Sequence, residues 1–189
     1  MNNTEINNFD LQPTLENEII KICPVISDDF ETLYAVASDP LIWEQHPNKH
    51  RYKKEVFENF FEGAIDSKGA FLIFDTASGK PIGSSRYYIC EEEKGVNSIA
   101  IGYTFLAKEN WGTTYNRALK TLMLNHAFKF VDKVFFHIGA LNIRSQKAIE
   151  KLGAKKFSEK DVTYHGEQAN LNFVYVMEKD NWENLKNKF

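Results

Sequence analysis

The chain has 189 residues, 43% of them hydrophobic and 14% aromatic, enough to bury a sizeable core in a single domain. A formal net charge of −3 argues against broad nucleic-acid binding, which needs a basic face to displace counterions from phosphates. No apolar stretch approaches the roughly 20 residues that span a bilayer, and the N-terminal residues show no secretory pattern, so the expectation is a cytoplasmic protein without a membrane partner.

Residues 1–17, rich in Asn, read as a polar N-terminal arm, and residues 18–189 as one domain. Alternation predicts a strand over 18–25. A helix follows over 27–39, with Ser27 as N-cap and Phe30, Leu33, Tyr34 and Ala37 on one face. Pro40 and Pro47 interrupt regular structure, so 41–52 reads as an ordered loop. Helical spacing returns over 53–65 through Val56, Phe57, Phe60, Phe61 and Ala64. Three strands are predicted over 70–76, 81–90 and 97–106, the first two joined by a turn at Ser78-Gly79-Lys80.

A helix over about 115–130 buries Ala118, Leu119, Leu122, Met123, Ala127 and Phe130 and turns Arg117, Lys120 and Lys129 to solvent. Then come a strand over 133–141, a helix over 143–152 stopped by Gly153, and a last strand over 168–179. Hairpins followed by a strand–helix–strand crossover make an α+β fold around a mixed sheet. Cys23 and Cys90 lie far apart in apolar surroundings and read as buried free thiols.

Two segments have chemical potential. In FLAKENWGTTYNRALK (105–120) a strand runs through one glycine into a helix starting near Tyr115, whose first N–H groups and dipole suit an anion. Gly112 lets backbone approach a ligand, and Thr113, Thr114 and Asn116 add donors; a threonine-capped turn explains the same residues. In HIGALNIRSQKAIEKLGA (137–154) Asn142 ends a strand and Ser145 opens a helix, a pattern that also fits a plain N-cap. Being consecutive, the two segments put two helix N-termini on one side of neighbouring parallel strands.

IAIGYTFL, AKENWGTTYNRALKTLMLNHAFKF and NIRSQKAIEKLGA, in this order, resemble the GNAT superfamily of acyl-CoA N-acyltransferases, and its ribosomal-protein N-terminal acetyltransferase-like branch most. The resemblance implies a mostly antiparallel central sheet with helices on both faces and a parallel strand pair, 98–106 and 133–139, that splays to admit the pantetheine arm of acetyl-CoA. Phe105, Leu106 and Ala107 would pair with that arm through their backbone. Trp111, Gly112, Thr113, Thr114, Tyr115 and Asn116 would surround the pyrophosphate, and Asn142 and Ser145 would contact the cofactor nearer its middle and thiol ends. The family loop has Gln or Arg and a second small residue where this chain has Glu109 and Thr114; Glu109 is therefore expected to point outward.

The implied reaction is direct attack of a primary amine, on a peptide N-terminus or small molecule, with a backbone N–H near Phe105 or Leu106 stabilising the developing oxyanion. Ala100 stands where relatives often carry a glutamate base, and Ile149 where many carry a tyrosine acid. An α-amine of pKa about 8 is roughly a tenth neutral at pH 7, against under about a thousandth for a lysine amine, so a chain without a strong base leans towards the former. A non-catalytic acyl-CoA-binding module that serves as sensor or scaffold is the alternative.

Trp43, His46 and Arg86 are candidates to line the acceptor side, with His46 and Tyr103 the catalytic candidates among side chains. His46 is either a titrating group or a structural ring beside Pro47. Arg86 binds a substrate carboxylate or pairs with an acid such as Glu44. Tyr103 is a core aromatic or a hydroxyl aimed at the thioester. His126, His137 and His165 show no metal-ligand spacing and read as structural or surface residues, so no metal is expected. A homodimer is compatible with all of this.

Overall fold

The computed structural model describes residues 9–165 and 167–188. A strand β1 (Leu15–Glu16) and a strand β2 (Ile20–Pro24) precede two helices, α1 (Phe30–Ala37) and α2 (Lys54–Asp66). Strands β3 (Ala70–Asp75), β4 (Pro81–Tyr88) and β5 (Ser98–Leu106) follow, then α3 (Tyr115–Ala127), β6 (Lys133–Gly139) and α4 (Ile143–Lys151). A hairpin of β7 (Lys155–Thr163) and β8 (Ala169–Glu178) and a helix α5 (Lys179–Leu185) complete the described chain.

The strands form one sheet in the order β1-β2-β3-β4-β5-β6-β8-β7, antiparallel throughout except for the β5–β6 pair. Alternation within the strands feeds two apolar clusters. Ile20, Ile22, Phe71, Ile73, Ile99 and Ile101 face α3, α4 and α5 with Leu119, Met123, Ile149 and Trp182. Ala70, Leu72 and Phe105 face the other way, onto Leu33 of α1 and Phe57, Phe60 and Phe61 of α2. Among the described residues no helix is long and apolar enough to cross a membrane.

Several local features differ from the sequence expectations. Ser27 does not cap α1: it opens a 3-10 turn, and the Asp29 carboxylate accepts the Ile26 N–H instead, at 2.9 Å. Part of the expected arm, residues 1–8, lies outside the described residues. Phe9 packs edge-on against Tyr87 and Phe130, and residues 15–16 pair with β2. Cys23 and Cys90 are free thiols, half-buried rather than fully buried.

Candidate functional site

The parallel pair opens early. Its pairing runs only from Ser98–Lys133 to Ala100–Phe135, although β5 continues to Leu106 and β6 to Gly139. A β-bulge accounts for the divergence: Ser84 pairs with Phe105 but Arg86 with Gly102, so two residues of β5, Tyr103 and Thr104, oppose Ser85 alone. Tyr103 sits there at φ 53°, a left-handed conformation rare for a bulky side chain and frequent at functional sites.

Between the parted strands lies a cavity of about 210 Å³. On the α3–α4 side its wall includes Trp111, Gly112, Asn116, Lys120, Asn142, Ser145 and Ile149; on the α2 side it includes Trp43, His46, Arg51, Tyr103, His137 and Tyr164. The slot therefore connects the two faces of the sheet, with a helix N-terminus at each of α3 and α4 beside one mouth.

Of the sequence-predicted cofactor residues, Phe105, Leu106, Trp111, Gly112, Asn116, Asn142 and Ser145 come together in this wall, whereas Ala107, Thr113, Thr114 and Tyr115 do not. Ala107 donates its N–H to Ile82 O at 2.8 Å and so belongs to the β4 ladder. By alternation the Leu106 N–H points away from β4, into the opening. The Leu106 carbonyl accepts the Trp111 indole N–H at 2.9 Å, and the Arg144 guanidinium stacks 3.8 Å from the centroid of that indole. Thr113 donates its hydroxyl to Asn110 O, and Tyr115 reaches away to Asp75. Glu109 is exposed and outside the wall.

The residues fit a pyrophosphate-bearing ligand at the α3 end. Gly112 has φ 70°, and nothing lies within 4 Å of where a Cβ would stand, so the backbone is open to a ligand there. Asn142 is indeed the N-cap of α4, its side-chain oxygen accepting the Ser145 N–H at 3.2 Å, while the residue also lines the cavity.

Lys120 is not at the surface. It is 3% exposed, donates to the Thr104 hydroxyl at 2.6 Å, and has no carboxylate partner among the described residues. Burial pushes its pKa down to about 7. It stands four residues after Asn116, on the same face of α3, so helical periodicity was the available signal; its charge obscured it.

On the α2 side of the slot the side chains form a polar cluster. Arg51, 1% exposed, pairs with Glu167 through Nε at 2.8 Å and a terminal nitrogen at 2.6 Å. Its other terminal nitrogen is 3.1 Å from His46 Nε2, while His46 Nδ1 faces the Asn48 N–H at 3.1 Å. A neutral imidazole has one lone pair, and two donors already face this ring, so His46 has none left for an incoming amine. Burial first, then Arg51, hold its pKa well below the usual histidine value. His46 lines the wall as expected, with one ring nitrogen facing Arg51 and the other the Asn48 N–H.

Arg86 meets neither a substrate-facing wall nor Glu44. It lies behind Tyr103, its guanidinium 4.0 Å from that ring's centroid, and donates to Gly63 O at 2.8 Å; Glu44 instead approaches Arg144 at 3.8 Å. Tyr103 lines the cavity with a hydroxyl that makes no hydrogen bond among the described residues. Trp43 lines the wall, its indole N–H fixed on Ala37 O at 2.7 Å.

His137, read from sequence as a structural or surface residue, lies in the wall as part of a chain of side chains. Tyr88 Oη is 2.7 Å from His137 Nδ1, and His137 Nε2 is 2.8 Å from Glu92 Oε1. Among the described residues no cluster of His, Cys, Asp and Glu is arranged to hold a metal ion.

The family described as Acetyltransferase (GNAT) domain matches residues 20–155. Solved structures with the same fold include a GCN5-related N-acetyltransferase from Brucella melitensis (17% identity, 93% of this chain and 83% of that one, TM-score 0.77). Two others are the ribosomal-protein-S5-alanine acetyltransferase from Vibrio fischeri (17%, 90% and 99%, 0.64) and Mycobacterium smegmatis RimJ in complex with CoA-disulfide (14%, 89% and 87%, 0.66). No curated protein sequence matches the chain.

Proposed function

Because the chain belongs to the GNAT acetyltransferase family, we propose that it is an acetyl-CoA-dependent N-acetyltransferase, acting in the cytoplasm on a primary amine of a peptide N-terminus or small molecule. The observation that supports this most is the slot itself: β5 and β6 part after Ala100 and Phe135, and the opening joins two helix N-termini on one face to a polar cluster on the other. The RimJ neighbour's CoA-disulfide supports the ligand class.

In this reading Gly112 and Asn116, at the start of α3, hold the pyrophosphate. Trp111, Asn142, Ser145 and the Leu106 backbone hold the pantetheine arm. Acetyl-CoA supplies the acetyl group as an activated thioester. The Leu106 N–H, aimed into the opening, stabilises negative charge developing on the carbonyl oxygen. Trp43, Tyr103 and Tyr164 shape the acceptor side and exclude water, while Arg51, Glu167 and His46 brace it.

A cofactor-binding module without activity is the second reading, favoured by the apolar, buried residues Ala100 and Ile149 at the usual acid–base positions. One experiment separates them: thiol release from acetyl-CoA over a panel of short peptides with free α-amines and small primary amines. Amine-dependent release supports the enzyme; CoA binding by calorimetry with no release across the panel supports the module.

A further inference from the structure

From the chain Tyr88–His137–Glu92 we infer that Tyr88 Oη takes the proton from the attacking amine and that His137, held by Glu92, receives the proton Tyr88 gives up. This rests on the acetyl-transfer reading and supplies the base that Ala100 leaves missing.

Three observations converge on it. The first is directionality. With Glu92 accepting at Nε2, His137 carries its proton there and presents the Nδ1 lone pair to the Tyr88 hydroxyl, so one neutral tautomer satisfies both contacts. The second is location. Tyr88 stands at the edge of the cavity rather than among the residues that line it, and it touches three that do: His137 through its hydroxyl, Tyr103 with ring centroids 5.4 Å apart, and Gly102, where an ideal Cβ would stand 2.9 Å from Tyr88 Cε1 and 3.1 Å from Oη. The absent side chain at 102 is what lets the tyrosine ring cross β5 and reach His137 at the point where the strands part.

The third is charge. Burial keeps His137 neutral, pushing its pKa below the usual value; Glu92 opposes this, and Lys160, which also pairs with Glu92, reinforces it. Tyr88 faces Tyr164, Tyr103, Cys90 and Glu92, and burial above all raises its pKa well past the usual phenol value. Tyr88 is therefore no base by itself. It accepts a proton only as it passes its own to His137.

The balance is complete. As the C–N bond forms, an amine N–H bond breaks and its proton joins Tyr88 Oη; the phenol O–H bond breaks and that proton joins Nδ1. The imidazolium faces the Glu92 carboxylate. The return step reverses the relay: Nδ1 gives its proton back to Tyr88 Oη as Oη gives up the one taken from the amine, and a thiolate, whose thiol has a pKa of about 8.5, is basic enough to take it as the C–S bond breaks. One relay thus serves both proton transfers, and no further reactant is required.

The test has two arms. In the protein alone, nitrogen-resolved NMR of the histidines is expected to show His137 as the Nε2–H tautomer, neutral at pH 7; an Nδ1–H tautomer or an imidazolium at pH 7 overturns the relay. With acetyl-CoA and the fastest acceptor of the peptide and amine panel, Tyr88→Phe is expected to lower kcat about 10²-fold with CoA affinity unchanged by calorimetry. His137→Gln is expected to match it. Glu92→Gln, a positioning change, is expected to lower kcat less and to shift the acidic limb of the pH profile, which Tyr88→Phe abolishes. A Tyr88→Phe protein with unaltered kcat and pH profile refutes the relay alone. An unsubstituted protein that binds CoA yet transfers to no amine refutes the acetyl-transfer reading, and the relay with it.

Discussion

Lys120→Met is expected to stabilise the protein at neutral pH, an unusual direction for a buried substitution. Lys120 is 3% exposed beside the cavity, with Thr104 its single hydrogen-bond partner and no counter-charge among the described residues. The fall from the ordinary lysine value of 10.5 to about 7 is 3.5 pKa units, and at 1.36 kcal/mol each this is about 5 kcal/mol against folding with the lysine charged. Since the folded pKa is the lower one, the unfolded chain binds more protons between pH 7 and 10.5, and stability rises with pH across that window. Below pH 7 both states are protonated and the full penalty persists; above 10.5 it vanishes. At pH 7 methionine should gain about 4 kcal/mol, less about 1 kcal/mol for the lost bond to Thr104. Urea denaturation of both proteins from pH 6 to 10.5 reads the difference, which should shrink towards the alkaline end. A Lys120→Met protein less stable than its parent at pH 7, or a difference independent of pH, would refute the reasoning.

Three further substitutions probe the slot. Arg51→Met leaves the Glu167 carboxylate buried without its partner and should cost about 3–5 kcal/mol in urea denaturation; a loss below about 1 kcal/mol contradicts the buried pair. Gly102→Ala forces a Cβ into Tyr88, so kcat should fall about 10²-fold while calorimetric CoA affinity holds, and unchanged turnover would show that Tyr88 need not cross β5 there. Gly112→Ala meets no protein atom but must adopt φ 70°, costing about 1 kcal/mol of stability. Its CoA affinity should fall by more than tenfold in calorimetry, whereas an unaltered affinity would move the pyrophosphate away from this loop.

Much of the frame was legible because it is local. Period-two and helical spacing located β3 to β6, α2, α3 and α4 within a few residues, and Gly112 and Asn142 marked the two strand–helix junctions that meet at the cavity. What escaped has physical causes. β7, KKFSEKDVT, is an exposed edge strand with almost no apolar alternation, as edges that must resist pairing often are. Lys120 follows the buried period of α3 but reads as solvent-facing, since an unpaired buried lysine is rare. The relay joins residues 49 and 45 positions apart, through a loop at Glu92 that has no regular pattern. His137 alone offered a hint, alternating with the buried Val134, Phe136 and Ile138 and thus lying on the opposite face of β6. Arg86 was expected to meet a carboxylate, from a substrate or from an acid such as Glu44; the Tyr103 ring and the Gly63 carbonyl meet it in the structure, pairings that sequence spacing does not reveal.

The central claim, that the parted strands deliver an activated acetyl group to an amine, is tested most directly by thiol release from acetyl-CoA with and without each acceptor of a peptide and amine panel, with the acetylated product identified by mass. The account predicts release that depends on the amine, with one acetyl group appearing on it for each thiol freed. Tight CoA binding with no acceptor-dependent release across the panel would contradict it.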